Sequence, residues 1–95
     1  IMRLTDLLQL TNDLNNQTAF YLTIKGKILP LAKLKITADG CLLYPGQHPM
    51  SKLKVIHLVK QMHHKGIPLW IINGKEKIPT YGIQIKDNGR WIRLT

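Results

Sequence analysis

Few side chains in this 95-residue sequence are of a type that does covalent or metal chemistry, and their spacing argues against it. His57 and His64 are seven residues apart. On a helix they share a face but are separated by roughly 10.5 Å of rise. A metal draws its ligands to about 2 Å, so this pair cannot hold one ion unaided, and His63 and His64 point about 100° apart. Ser51 follows His48 by three residues, with no acid near to orient the imidazole, and reads as a helix cap. Asp39 and Asp87 adjoin the turns Asp39-Gly40 and Asp87-Asn88-Gly89, where aspartate is favoured for backbone reasons. There is no glycine-rich nucleotide loop, Gly-x-Ser-x-Gly or Cys-x-x-Cys. These observations predict a non-enzymatic protein with no metal and no cofactor.

Cations and aromatic rings carry the remaining chemistry. The formal net charge is +9, from 14 basic and 5 acidic residues. No acid occurs between Asp13 and Asp39 or between Asp39 and Glu76, while lysines recur through both stretches. Such an excess bears on partners and solubility rather than on fold. Strand-like alternation predicts one sheet face with Phe20, Leu22, Ile24, Leu34, Ile36, Ile83, Ile85 and Ile92 turned to a helix-covered core. The other face would show Tyr21, Lys25, Lys33, Lys35, Tyr44, Lys86, Trp91 and Arg93. Rings among cations on an open sheet suit a single-stranded nucleic acid: rings stack bases and cations meet phosphates. Lys52, Lys54, Lys60 and Lys65, on a predicted helix, form a second candidate surface for phosphates.

The elements that position these residues follow from periodicity and turn chemistry. Residues 3–16 read as a first helix, with Leu4, Leu7, Leu8 and Leu14 on one face, Thr5 as its cap and Asn15-Asn16 as its stop. Met50 to Gly66 reads as the second, its core stripe being Val55, Leu58, Val59 and Met62. Three strands are expected between the helices, the last two joined at Asp39-Gly40, with Pro30 marking a bulge, edge or strand start. Three more are expected after the second helix, near 69–72, 81–86 and 90–94, with turns at Asn73-Gly74 and Asp87-Asn88-Gly89. The fold class is therefore α+β, two helices on antiparallel strands in one six-stranded or two three-stranded sheets, in the order α-βββ-α-βββ. The length and a 44% hydrophobic content suit one domain over 1–95.

The two halves are consistent with an internal pseudo-repeat. A shift of 49 lays Pro30 on Pro79, Leu34 on Ile83, Ile36 on Ile85, Gly40 on Gly89 and Leu43 on Ile92. The helices do not follow at that shift, since Leu8 falls on His57 and Asp13 on Met62. Helix, three strands, helix over residues 3–65 is also similar in order to the double-stranded-RNA-binding fold and to small ribonuclease toxins built on it. Those toxins carry a catalytic histidine after a glycine in the first hairpin. Here Gly26 is followed by Lys27 and Ile28, with no histidine before His48, so the activity is not implied.

A single cysteine, Cys41, excludes an internal disulfide and reads as a small half-buried hydrophobe in a reducing, cytoplasmic setting. No apolar run is long enough to span a membrane. The function expected is a small basic protein that binds RNA or DNA mainly through phosphate contacts. The alternative is an interaction module that docks an acidic protein or self-associates, with a dimer among its forms.

Overall fold

The computed structural model describes residues Ile1–Thr95. Helix α1 (Leu4–Leu10) leads into strands β1 (Ala19–Ile24), β2 (Lys27–Thr37) and β3 (Gly40–Pro45). Helix α2 (Lys52–Val59) is followed by β4 (Leu69–Asn73), β5 (Glu76–Pro79), β6 (Ile83–Lys86) and β7 (Trp91–Leu94), with a 3-10 turn at Asp87–Gly89. The class is α+β, and the order is α-βββ-α-ββββ. The extra strand is β5, whose Ile78 alone continues the inward apolar pattern, because β5 is an edge strand between charged positions.

All seven strands form one sheet, ordered β5-β4-β3-β2-β1-β7-β6. Neighbours within a hairpin or meander are antiparallel, but β1 pairs with β7 and β3 with β4 in parallel, so the sheet is mixed rather than antiparallel throughout. Its two edge strands, β5 and β6, are consecutive in the chain with only Thr80–Gly82 between them. Laid flat, seven strands at about 4.8 Å spacing would hold their edges roughly 29 Å apart. The chain from Pro79 to Ile83 reaches at most about 14 Å. The sheet therefore has to curl strongly, into a half-barrel.

Both halves repeat the same hydrogen-bond plan. The β1–β2 register runs from Tyr21↔Pro30 to Ile24↔Lys27, and β4–β5 runs from Trp70↔Pro79 to Asn73↔Glu76, each residue displaced by 49. Ahead of each helix one methionine is stitched between strands of the other half. Leu69 N donates to Met2 O and Met2 N to Thr80 O, while Phe20 N donates to Met50 O and Met50 N to Leu31 O. Each helix start is likewise held by the other half. Leu4 N and Thr5 N donate to Ile67 O and Lys65 O, and Lys52 N and Leu53 N donate to Thr18 O and Asn16 O. The helices thus correspond at a shift of 48, with buried Leu7 on buried Val55. One residue of slip rotates a helix by 100°, which is why the constant shift of 49 set Leu8 against His57.

The helices are shorter than their periodicity suggests. Helix α1 ends at Leu10 and α2 at Val59, and in the segments that follow the carbonyls of Asn16, Thr18, Lys65 and Ile67 cap the opposite helix. Pro68 also biases Ile67 to an extended backbone. Helix α1 is capped at Arg3 rather than Thr5, with Arg3 N donating to Asp6 Oδ2 at 2.8 Å. Leu58, inside α2, is exposed instead of in the core stripe, because the buried face of the helix runs through Lys52, Val55 and Val59. A core of 15 buried residues draws on both halves, joining Leu4, Leu7, Val55 and Val59 to Phe20, Leu22, Ile24, Leu31, Leu43, Leu69, Ile71, Ile92 and Leu94. Ile36 and Ile85 face inward by register but are exposed, because each stands beside a turn at the sheet's rim.

Candidate nucleic-acid interface

Alternation in β1 buries Phe20, Leu22 and Ile24, which leaves Tyr21 and Thr23 outward. Continuing β2 without interruption would point Lys33 and Lys35 into the core with Leu31. A register shift between Leu31 and Lys33 prevents this, as Leu31 pairs with Pro45 and Lys33 with Tyr44. One extra residue in a strand exchanges its faces, so this bulge, close to Pro30, turns Lys33 and Lys35 outward and Leu34 inward. In the second half the equivalent place is Thr80–Gly82, where the strand breaks into β5 and β6.

The outward positions read strand by strand across the sheet. They include Lys77 and Pro79 on β5, Trp70 and Ile72 on β4, Leu42 and Tyr44 on β3, Ile28, Pro30, Lys33 and Lys35 on β2, Tyr21 and Thr23 on β1, Trp91 and Arg93 on β7, and Gln84 and Lys86 on β6. No acidic residue occupies any of them. The Lys77 ammonium lies over the Trp70 ring, 4.6 Å from its centroid, and that of Lys33 lies 5.2 Å from the Tyr44 centroid. Tyr21 meets Trp91 edge to face, with centroids 5.3 Å apart. Arg93 Nε donates to Gln84 Oε1 at 2.7 Å. The protein's two ion pairs, Lys25–Glu76 at 3.7 Å and Arg90–Asp87 at 3.8 Å, are both exposed. Lys33, Lys35, Lys77, Lys86 and Arg93 therefore have no carboxylate partner.

Of the residues singled out from the sequence, Lys33, Lys35, Tyr44, Lys86, Trp91 and Arg93 come together on this face, with Tyr21. Lys25 does not join them; it sits in the β1–β2 turn at φ 50°, paired with Glu76. Lys54 and Lys60 are exposed on the helix side and do not extend the sheet face. Lys52 points inward, only 8% exposed, and its Nζ donates to Asn12 O at 2.9 Å and Leu14 O at 2.7 Å. It braces the chain after α1 and is not part of an open surface. Trp70 and Lys77 are members the sequence reading left out, because Trp70 lies in an apolar run without alternation and β5 was not recognised as a strand. The repeat is a signal for Trp70, since Tyr21 shifted by 49 is Trp70, but not for Lys77, which falls on Ile28.

The other reactive groups have structural partners or none. Ser51 caps α2, its Oγ accepting from Lys54 N at 3.2 Å. Cys41 is fully buried, and desolvation pushes its thiol up to about 12. No three of the histidine, cysteine and acidic side chains gather into a metal-binding group. No helix is long and apolar enough to cross a membrane. In comparisons with known proteins, no family model, curated protein or solved structure matches the chain.

Proposed function

We propose that this is a non-enzymatic cytoplasmic protein that binds RNA or DNA on the outward face of its curled sheet. The observation that carries the reading is the composition of that face: Lys33, Lys35, Lys77, Lys86 and Arg93 stand unpaired among Tyr21, Tyr44, Trp70 and Trp91, with no acid between them. Phosphate contacts supply the affinity through counterion release, and ring stacking adds a sequence-tolerant term. The test is fluorescence anisotropy with labelled single-stranded and duplex oligonucleotides at two salt concentrations. Each phosphate contact to a single strand contributes about 0.7 to the slope of log K against log salt. The combined change Lys33→Ala, Lys35→Ala and Arg93→Ala is expected to lower that slope by about 2. An unchanged slope removes the sheet face, and no binding at low salt removes the reading.

The apolar strip of Leu42, Trp70, Ile72 and Pro79 beside the same cations supports a second reading, the docking of an acidic protein. Capture of an acidic partner by a chain that binds no oligonucleotide would favour it. Self-association through an edge has less to work with, since β5 and β6 are each four residues long.

A further inference from the structure

The outward face is duplicated by the internal two-fold. The row Pro79-Trp70-Leu42-Lys35 across β5, β4, β3 and β2 is matched by Pro30-Tyr21-Arg93-Gln84 across β2, β1, β7 and β6. Three of the four positions correspond at a shift of 49. Each row centres on a ring, and each ring has a second one near it in the outward set: Tyr44 on β3 for Trp70, and Trp91 in edge contact with Tyr21. Lys33 and Lys35 on β2 lie between the two centres. Read strand by strand from β5 to β6, the face carries Lys77, then Trp70 and Tyr44, then Lys33 and Lys35, then Tyr21 and Trp91 with Arg93, then Lys86, and the two rows meet β2 at different levels, Lys35 and Pro30. Rings and cations alternate in blocks along one path. From Trp70 to Tyr21 that path runs obliquely, over three strand spacings, about 14 Å, across the sheet and roughly 16 Å along β2.

Resting on the sheet-face reading above, we propose that one single strand of nucleic acid crosses the sheet obliquely to the β-strands and engages both ring stations at once. Bases stack at Trp70/Tyr44 and at Tyr21/Trp91, and the phosphates between them lie on Lys33 and Lys35. The Lys77 ammonium rests over the Trp70 ring in the free protein. A phosphate is the stronger partner for that cation, so a bound strand draws Lys77 aside and opens the ring to a base. A duplex keeps its bases stacked on one another and offers neither station a ring partner. The preference is therefore for single strands.

The experiment uses the two tryptophans as separate reporters. Trp91→Phe leaves Trp70 as the only indole, and Trp70→Phe leaves Trp91. The second exchange removes an indole N–H that is buried without a partner, so the fold is expected to tolerate it. Each variant is titrated with a thymidine dinucleotide and with an oligothymidylate of roughly 16 nucleotides, the upper range of single-strand sites. Joining two sites through one strand raises affinity by about 100-fold or more over either alone. The expected result is that the long strand quenches both reporters at one strand per chain, with the same midpoint and at least that advantage over the dinucleotide. Quenching of Trp91 alone, or of both at two long strands per chain, overturns the bridging strand and leaves the sheet-face reading standing. An anisotropy rise with neither indole quenched overturns it too and moves binding to the helix side, at Lys54 and Lys60. No rise at low salt with any oligonucleotide overturns both.

Discussion

Replacing Lys52 with methionine separates a structural lysine from a binding one. The side chain is buried, and its ammonium donates to two backbone carbonyls just beyond α1, Asn12 O at 2.9 Å and Leu14 O at 2.7 Å. Methionine keeps most of the aliphatic stem and removes only the donors. Hydrogen bonds from a charged group are worth about 1.5–3 kcal/mol each. Part of that sum returns because no ammonium has to leave water, which places the net loss at about 2–4 kcal/mol. For a domain of this size each kcal/mol lowers Tm by about 4–8 °C, so a fall of roughly 10–25 °C is expected in a thermal scan followed by circular dichroism. Lys54→Met, at an exposed position on the same helix, is expected to stay within about 0.5 kcal/mol of the parent. At a temperature where both variants are folded, Lys52→Met is expected to keep the parent's salt slope for oligonucleotide binding. A stability loss below about 0.5 kcal/mol, or a slope reduced by about 0.7 as for one lost phosphate contact, would refute the bracing role.

Cys41 is expected to resist thiol reagents in the folded state, with labelling limited by unfolding. Its folded pKa of about 12 lies above the usual 9.0, so the unfolded chain loses its thiol proton first. The contribution to stability is complete below pH 9.0 and declines as pH rises towards about 12, which urea titrations of the parent against Cys41→Ala would measure. Gly40 sits at φ 143°, and a Cβ there would meet Pro68 O at 2.5 Å, so Gly40→Ala is expected to cost about 2 kcal/mol or more. Gly26 at φ 80° has open space around it, and Gly26→Ala is expected to cost only about 1 kcal/mol of backbone strain; similar losses at the two positions would count against the close approach of β3 to Pro68. Thr80→Val removes the buried bond from Thr80 Oγ1 to Leu69 O at 2.9 Å and is expected to lower stability by about 1 kcal/mol in urea unfolding.

Local signals were sufficient wherever a residue's surroundings are set by its near neighbours in the chain. Period-2 alternation placed Phe20, Leu22 and Ile24 against the core and Tyr21, Lys33 and Lys35 outward, and of the bulge, edge or strand start that Pro30 marked, the structure has a bulge close by. The Asp39-Gly40 and Asn73-Gly74 turns located two hairpins. Helix length was not legible, because the segments that follow α1 and α2 are held as caps on the opposite helix, through contacts between residues 34 to 63 positions apart. Leu58 followed the helical period and is exposed because the buried face of α2 runs through Lys52, Val55 and Val59.

The charge of +9, the pattern of rings and lysines, the turns and the repeat of 49 belong to the sequence alone, because each depends on composition or on short-range spacing. Tertiary structure decided that the strands join through two parallel pairings into one curled sheet, that Lys52 faces inward, and that Trp70 and Lys77 share the outward face with Tyr21 and Arg93. Parallel pairing and the closure of a sheet on itself bring together residues whose separation carries no local signature. Only the assembled backbone, satisfying its donors and acceptors across both halves, determines which cations bond to carbonyls and which stay at the surface.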